Sequence, residues 1–285
     1  MPAAEKKLKP IVRLGVIAGS GRLPETLLHA CDSKGIEPFV VGFEGQTDPS
    51  LVQGRNHMWT RLGAAGQVIQ TLKAHDIHDL VLIGSMRRPT LGELRPDLKT
   101  VEFFARLSVR AIGDNNLLGI LRNILEEEGF TLHGIHRFAD DLLTPSGVIG
   151  HYKPKKDDWI DIKRGLEVSQ ILGAQDIGQS VIVQEGMVLG VEAAEGTDEL
   201  IQRCKHLRRK GRGGVLVKTC KPQQDRDLDL PTIGPETVQQ AASCGLAGIA
   251  VQAGQSLLID SQKVAEIADQ HKIFVIGIDP SQTEL

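Results

Sequence analysis

The chain has 285 residues, 41% of them apolar and 24% charged, with a net charge of −3. At about 150 residues per domain, that length predicts two domains with ample cores, and the composition is that of a globular chain rather than a disordered one. The balance lacks the basic footprint of a DNA or RNA binder, and no segment reaches the ~18 apolar residues of a membrane-spanning helix. The four cysteines, Cys31, Cys204, Cys220 and Cys244, form no C-x-x-C pair. Residues Met1 to Pro10 are polar and lysine-rich, with no leader pattern, so the thiols are expected to be reduced in a cytoplasmic protein.

The first half alternates strands and helices. Leu14 to Ala18 is a short apolar run closing on Gly19-Ser20-Gly21, and Pro24 to Ser33 follows with Leu27, Leu28 and Cys31 on one helical face. Pro38 to Phe43 is a second apolar run. Gln67 to His75 has helical spacing with Val68, Ile69 and Leu72 inward, and Leu80 to Ile83 is a third strand closed by Gly84. Helices are expected over Leu98 to Val109 and Leu117 to Glu128. Nearly all-apolar strands separated by helices predict a parallel sheet covered on both faces. From Asp140 to Asp161 the character changes. Pro145, Gly147, Gly150, Pro154 and the run Lys155-Lys156-Asp157-Asp158 read as a link between domains.

The second half opens on two apolar runs, Ser180 to Gln184 and Met187 to Val191, separated by Glu185-Gly186, a hairpin signal. Thr197 is a candidate N-cap, with Asp198 and Glu199 in the first turn of a helix expected to reach Lys210 and stop at Gly211. Val215 to Thr219 is the next strand. Pro235 opens a helix carrying Val238, Ala241 and Ala242, stopped by Gly245. Gly248 to Val251, Leu257 to Ile259 and Ile273 to Ile276 are further strands, with a helix from Gln262 to Gln270.

Five places could carry chemistry. In Val16-Ile-Ala-Gly-Ser-Gly-Arg-Leu-Pro24 a strand meets a helix through G-x-G, where backbone N–H groups favour an anion. It is a partial dinucleotide fingerprint: Pro24 stands where the third glycine belongs, while Glu44 falls where a ribose-binding acid would. A tight turn with no ligand explains the same residues. Gly84-Ser-Met-Arg-Arg-Pro89 offers Arg87 and Arg88 to a phosphate or base. Gly113-Asp-Asn-Asn116 offers Asp114, for which an N-cap is the plain alternative. Glu192 and Glu195 flank a turn, where surface acids are common. His133 and His136 share a possible strand but are expected to lack acid or thiol partners, so they read as core or surface residues.

The fifth place is Val217-Lys-Thr-Cys-Lys-Pro-Gln-Gln-Asp-Arg-Asp-Leu-Asp-Leu-Pro231. If residues 225–229 are extended, Asp225, Asp227 and Asp229 form one acidic face. One or two carboxylates with substrate phosphates suit Mg²⁺, and Lys218, Lys221 and Arg226 could neutralise charge on a pyrophosphate. A solvated charged loop is the competing reading, although Pro222 and Pro231 restrain the segment. The nucleophile elbow G-x-S-x-G, the zinc motif H-E-x-x-H and the P-loop are all absent from the sequence.

The whole chain resembles the UDP-2,3-diacylglucosamine pyrophosphatases of the LpxI type, from the lipid A pathway. The resemblance rests on Ile17-Ala-Gly-Ser-Gly-Arg-Leu-Pro24, Gly84-Ser-Met-Arg-Arg-Pro89, Gly113-Asp114, Asp176-Ile-Gly-Gln-Ser180, Glu195-Gly-Thr-Asp198, Lys218-Thr-Cys-Lys-Pro-Gln-Gln-Asp225 and Asp229-Leu-Pro-Thr-Ile-Gly-Pro235, in that order. It implies a two-domain α/β fold: an N-terminal Rossmann-like parallel sheet over 1–145, a linker over 146–160, and a distinct mixed α/β catalytic domain over 161–285. It also implies Mg²⁺-dependent hydrolysis to UMP and 2,3-diacylglucosamine 1-phosphate, with water attacking the phosphorus nearer the sugar. The essential acid of the family falls on Asp225.

Residues and resemblance together point to Asp225, Lys218 and Gln224 for catalysis, and to Asp225 and Asp227 for the metal. Substrate contacts are expected from Gly19, Ser20, Gly21, Arg22, Arg88, Asp114, Thr197, Lys221 and Arg226. The expected partners are a UDP-linked acylated sugar, the inner face of the inner membrane as a peripheral contact, and a second copy of the chain. Two other readings stay open: an NAD(P)-dependent oxidoreductase, and a non-catalytic module that binds a UDP-sugar or lipid.

Overall fold

The computed structural model describes residues 10–87, 95–106 and 114–280. The chain divides into two compact units near Ala139 and Asp140. In the first, β1 (Arg13–Ala18), β2 (Glu37–Phe43), β3 (Asn56–Thr60), β4 (Asp79–Ile83) and β5 (Thr131–Leu132) form one parallel sheet in the order β3-β2-β1-β4-β5. Between them run α1 (Leu23–Lys34), α2 (Ala65–Ala74), α3 (Leu98–Arg106) and α4 (Asp114–Glu127). Strand β1 is central, so Leu14, Val16 and Ala18 are wholly buried, which is why it reads as an apolar run. Strand order reverses between β1 and β4. In such sheets ligands settle outside the carboxyl ends of the strands at this reversal, which is where the loops after Ala18 and Ile83 lie.

Two strands here carried no apolar run. In β3 the residues Asn56 and His57 are exposed on a sheet edge, and β5 is only two residues long. Past α4, Glu128 takes Lys73 Nζ at 2.6 Å and Lys99 Nζ at 2.7 Å, tying α2 and α3 together. His133 does have an acid partner: its Nε2 meets Asp79 Oδ1 at 2.6 Å, while His136 sits apart in a 3₁₀ turn, Ile135–Arg137. That pairing joins residues 54 apart in sequence, beyond what local spacing can predict.

The second unit holds β6 (Gly147–Ile149), α5 (Lys156–Ala174), β7 (Ser180–Gln184), β8 (Met187–Val191), α6 (Thr197–Cys204), β9 (Val215–Lys218), β10 (Thr232–Ile233), α7 (Pro235–Ser243), β11 (Gly248–Gln252), β12 (Leu257–Leu258), α8 (Ser261–His271) and β13 (Phe274–Ile278). Its main sheet runs β6-β13-β11-β9-β7-β8, with β13, β11 and β9 parallel and β6, β7 and β8 antiparallel to their neighbours. Strands β10 and β12 pair separately. One face of the sheet packs on α5 through Ile162, Leu166, Val215, Val217 and Phe274. The other packs on α6, α7 and α8 through Leu200, Ile201, Val238, Val264 and Leu216. At the hairpin, Glu185 and Gly186 both take positive φ, 53° and 74°, as a two-residue turn requires.

The segment read as a linker, 146–160, contains structure of this second unit. Strand β6 pairs with β13, and α5 begins at Lys156 with its first turn fastened by Lys155 N–H on Asp158 Oδ2 at 2.7 Å. A three-residue strand leaves almost no pattern, so its flanking prolines and glycines dominate the sequence signal. Helix α6 is also shorter than expected, ending at Cys204 rather than Lys210. Among the described residues no helix is long and apolar enough to cross a membrane.

Candidate functional site

In the first unit the two loops at the strand reversal cross each other. Ser20 N–H donates to Ser85 O at 2.8 Å and Ser85 N–H returns to Ser20 O at 3.0 Å. A side chain on Gly19 would place its Cβ 2.5 Å from Ser85 O, and one on Gly84 would come within 2.7 Å of Ser20 O. These two glycines are therefore required by the crossing itself. Gly21 differs: its φ is 95° and nothing lies within 4 Å of the Cβ position, so the backbone there is open to a ligand. Gly21 precedes α1, whose first turn has no side-chain cap. Gln46 joins the same end of the sheet, accepting Arg87 N–H at 2.9 Å. Glu44 is exposed just past β2. Arg88 and Gly113 lie outside the described residues. Asp114 opens α4, and its side chain lies outside them too.

In the second unit the candidate residues gather at the carboxyl end of β9. Along this strand Val215 and Val217 face α5 and Leu216 faces the helices on the other side. Lys218 continues the Leu216 face by strand alternation. There it is only 7% exposed, with Nζ donating to Thr197 Oγ1 at 2.9 Å and to Thr232 O at 3.1 Å. Thr197 is not the N-cap; Gly196 holds that position and Thr197 is the first residue of α6. Its hydroxyl donates to Glu192 Oε1 at 2.7 Å. Having spent its one proton there, it accepts from Lys218 and from Ser180 Oγ, 3.1 Å away. One donor and two acceptor sites are all a hydroxyl has, and all three have partners within the protein here. Glu192, read from the sequence as a surface acid, is 7% exposed, and its Oε2 takes Gln179 N–H at 3.0 Å.

Burial pushes the Lys218 ammonium below the ordinary lysine range, while Glu192, Asp229 and Asp198 pull it back up. Glu192 reaches this buried position because residue 178 is glycine: a Cβ there would lie 2.1 Å from Glu192 O. Ser180 and Lys218 are register partners on β7 and β9, so the sheet itself aligns two members of the network.

The acidic loop follows directly. Residues 225–229 are not extended. Leu228 N–H and Asp229 N–H both donate to the Asp225 carbonyl, at 3.1 and 2.8 Å, and Asp227 N–H donates to Asp225 Oδ1 at 3.0 Å. This helical turn breaks the predicted single acidic face, because alternate residues of a turn do not share a side. Gln224 is 6% exposed and serves as an internal strut. Its Oε1 takes Lys221 N–H at 2.9 Å and its Nε2 donates to Asp229 Oδ2 at 2.6 Å. Lys221 Nζ pairs with Asp176 Oδ1 at 2.7 Å, and Gln223 Nε2 reaches Gly173 O at 2.7 Å, so the loop is fastened over the end of α5. Arg226 is exposed. Among the described residues no group of three His, Cys, Asp or Glu gathers to hold a metal. A Mg²⁺ that takes one or two protein carboxylates and completes its shell with water and phosphate needs no such cage.

The structure thus brings Lys218, Thr197, Gln224 and Asp225 into one region of the second unit. It adds Ser180 and Thr232, which the sequence reading missed, and Glu192, which that reading placed on the surface. The only signal for them was indirect: Ser180 stands in the quoted Asp176–Ser180 motif and Thr232 in Asp229–Pro235, but nothing local marks Glu192 as buried.

Residues 13–142 match the LpxI N-terminal domain and residues 145–276 the LpxI C-terminal domain. A protein of Caulobacter vibrioides, UDP-2,3-diacylglucosamine pyrophosphatase LpxI, is 37% identical over 279 residues, covering 95% of this chain and 99% of that protein. Likeness to solved structures is weak. The biotin carboxylase domain of Hydrogenobacter thermophilus 2-oxoglutarate carboxylase gives a TM-score of 0.27 at 10% identity, covering 70% of this chain and 41% of that one. A Mycobacterium tuberculosis glycinamide-RNase-transformylase T gives 0.24 at 12%, covering 64% and 44%. Neither carries an argument about fold or activity. The two domain matches span the two units in order, and the relative matches nearly end to end: the chain belongs to the LpxI family.

Proposed function

We propose that this protein hydrolyses the pyrophosphate of UDP-2,3-diacylglucosamine to UMP and 2,3-diacylglucosamine 1-phosphate, as a step of lipid A biosynthesis. The observation that carries the reading is the near full-length, 37% identical relative of that name. The site chemistry supports it: a buried lysine, an exposed arginine and a restrained acidic turn meet at one strand end, where a pyrophosphate needs its charge balanced.

In this proposal Asp225 and Asp227 would hold Mg²⁺, and the ion, when bound, would supply neutralisation of the negative charge on the substrate phosphates. Asp225 also orients a water toward the phosphorus nearer the sugar. The water oxygen forms the new P–O bond as the bridging P–O bond breaks; UMP leaves with the bridging oxygen, and the water's proton is released to solvent. Lys218 and Arg226 offset the charge that grows on the phosphoryl oxygens. Gln224 keeps Asp225 in place by fixing the loop that carries it. Within the first unit by itself, Gly21 and the uncapped start of α1 offer N–H groups of the kind that suit an anion.

The test is product analysis by mass spectrometry on the purified protein with this substrate. UMP and the acylated sugar phosphate should appear with Mg²⁺, vanish with chelator and return when Mg²⁺ is restored. Intact substrate under all conditions would reject the proposal, and Mg²⁺-independent turnover would reject the metal assignment.

A further inference from the structure

Two charges are buried at the end of β9 without touching. Lys218 has two acceptors among the described residues, Thr197 Oγ1 and Thr232 O, and no carboxylate within ion-pair distance. The nearest acid in the hydrogen-bond chain is Glu192, one hydroxyl away: Lys218 Nζ–H donates to Thr197 Oγ1, whose O–H donates to Glu192 Oε1. Glu192 is itself held by Gln179 N–H, and its backbone is packed against Gly178. Burying a cation and an anion is costly unless each is compensated. A direct contact would neutralise the pair most fully, yet here the hydroxyl stands between them. The carboxylate can then support the ammonium without occupying all of its N–H groups. Of the three that an ammonium carries, two have acceptors among the described residues.

We propose that Glu192 is a positioning residue for the reaction: through the Thr197 hydroxyl it holds the Lys218 ammonium charged at the carboxyl end of β9, where the third N–H meets an oxygen of the substrate's pyrophosphate. This rests on the reading of the chain as a pyrophosphatase, and it assigns Glu192 and Thr197 a task distinct from binding. The charged groups acting on Lys218 from around it are Glu192 after β8, Asp198 in the first turn of α6 and Asp229 in the acidic loop. Of these, only Glu192 is joined to it by hydrogen bonds through a single hydroxyl.

Glu192→Gln keeps an acceptor for Thr197 and removes the charge. The alkaline limb of kcat/KM, where Lys218 loses its proton, should then move down by about one pH unit or more, because a nearby anion favours the charged ammonium. The plateau below that limb should fall less. Thr197→Val, which keeps the anion but removes the hydroxyl between it and Lys218, should move the limb the same way by less, and Thr197→Ser should leave it in place. A second readout needs no substrate: NMR of lysines labelled at Cε, with Lys218 assigned through Lys218→Arg, should show Lys218 titrating lower in Glu192→Gln than in the parent. An unchanged Lys218 titration in folded Glu192→Gln overturns the inference, as does a uniform loss of activity at every pH with the limb in place. If the protein does not hydrolyse UDP-2,3-diacylglucosamine, the functional reading fails while the NMR titration still decides the coupling.

Discussion

The two units solve the end of a parallel strand in different ways. In the first, the loops after β1 and β4 cross by backbone hydrogen bonds between Ser20 and Ser85, and two glycines make the approach possible. In the second, the end of β9 is organised by buried and half-buried side chains: Lys218, Thr197, Glu192 and Ser180 are joined in one hydrogen-bond network. A backbone crossing depends on shape and tolerates changes of charge, whereas a side-chain network depends on charge and tolerates little. The proposed chemistry sits with the network, where burial strengthens electrostatic effects that water would screen.

Substitutions can break either half of that contrast. The largest effect is expected at Asp225→Ala, which removes the acid assigned to water and metal: turnover should fall by about 10²–10⁴, the range for losing a positioned acid or base, with the fold intact by circular dichroism. Lys218→Met should follow, lowering kcat by about 10²–10³ as a buried charge-stabilising donor is lost. A steady-state assay with UMP detection checks both. In the first unit the corresponding break is structural. Gly19→Ala forces a Cβ against Ser85 O and Gly84 C, at 2.5 and 2.8 Å. An overpacking cost of about 1–3 kcal/mol should appear as a lowered midpoint in chemical denaturation.

The smallest effect concerns Glu128, whose carboxyl is held down to about 2 by Lys73 and Lys99. A group depressed in the folded state contributes stability above its unfolded value near 4.5, and loses that contribution as pH falls from there toward about 2. The pair partners are surface residues, so the contribution is discounted to about 1 kcal/mol. Glu128→Gln should therefore narrow the stability difference between pH 7 and pH 3, measured by urea unfolding. An identical pH dependence in parent and variant would remove the electrostatic explanation for that junction.

Much of the fold was legible because its signals are local. The central strands of both sheets are apolar runs, and helices α1, α2 and α7 showed their inward faces by spacing. Strands β3, β5, β6 and β10 were not legible: each is short or polar and is defined by the neighbour it pairs with. The site divided the same way. Gly19 and Asp225 stand in contiguous motifs, so the sequence marked them. Glu192 is 26 residues from Lys218 by number and meets it only through the sheet register that aligns Ser180 with Lys218. The alternation Asp225, Asp227, Asp229 misled for a physical reason: backbone hydrogen bonds to the Asp225 carbonyl curl the segment into a turn that spacing alone does not announce.

The account turns on hydrolysis directed from the Asp225 loop, and isotope labelling tests it most directly. The purified protein should be incubated with UDP-2,3-diacylglucosamine and Mg²⁺ in ¹⁸O-water, beside Asp225→Ala, and the products weighed by mass spectrometry. The account predicts UMP without label and 2,3-diacylglucosamine 1-phosphate carrying one ¹⁸O, with neither product formed at an appreciable rate by the variant. Equal turnover by Asp225→Ala, or no cleavage of this substrate by the parent protein, would contradict it.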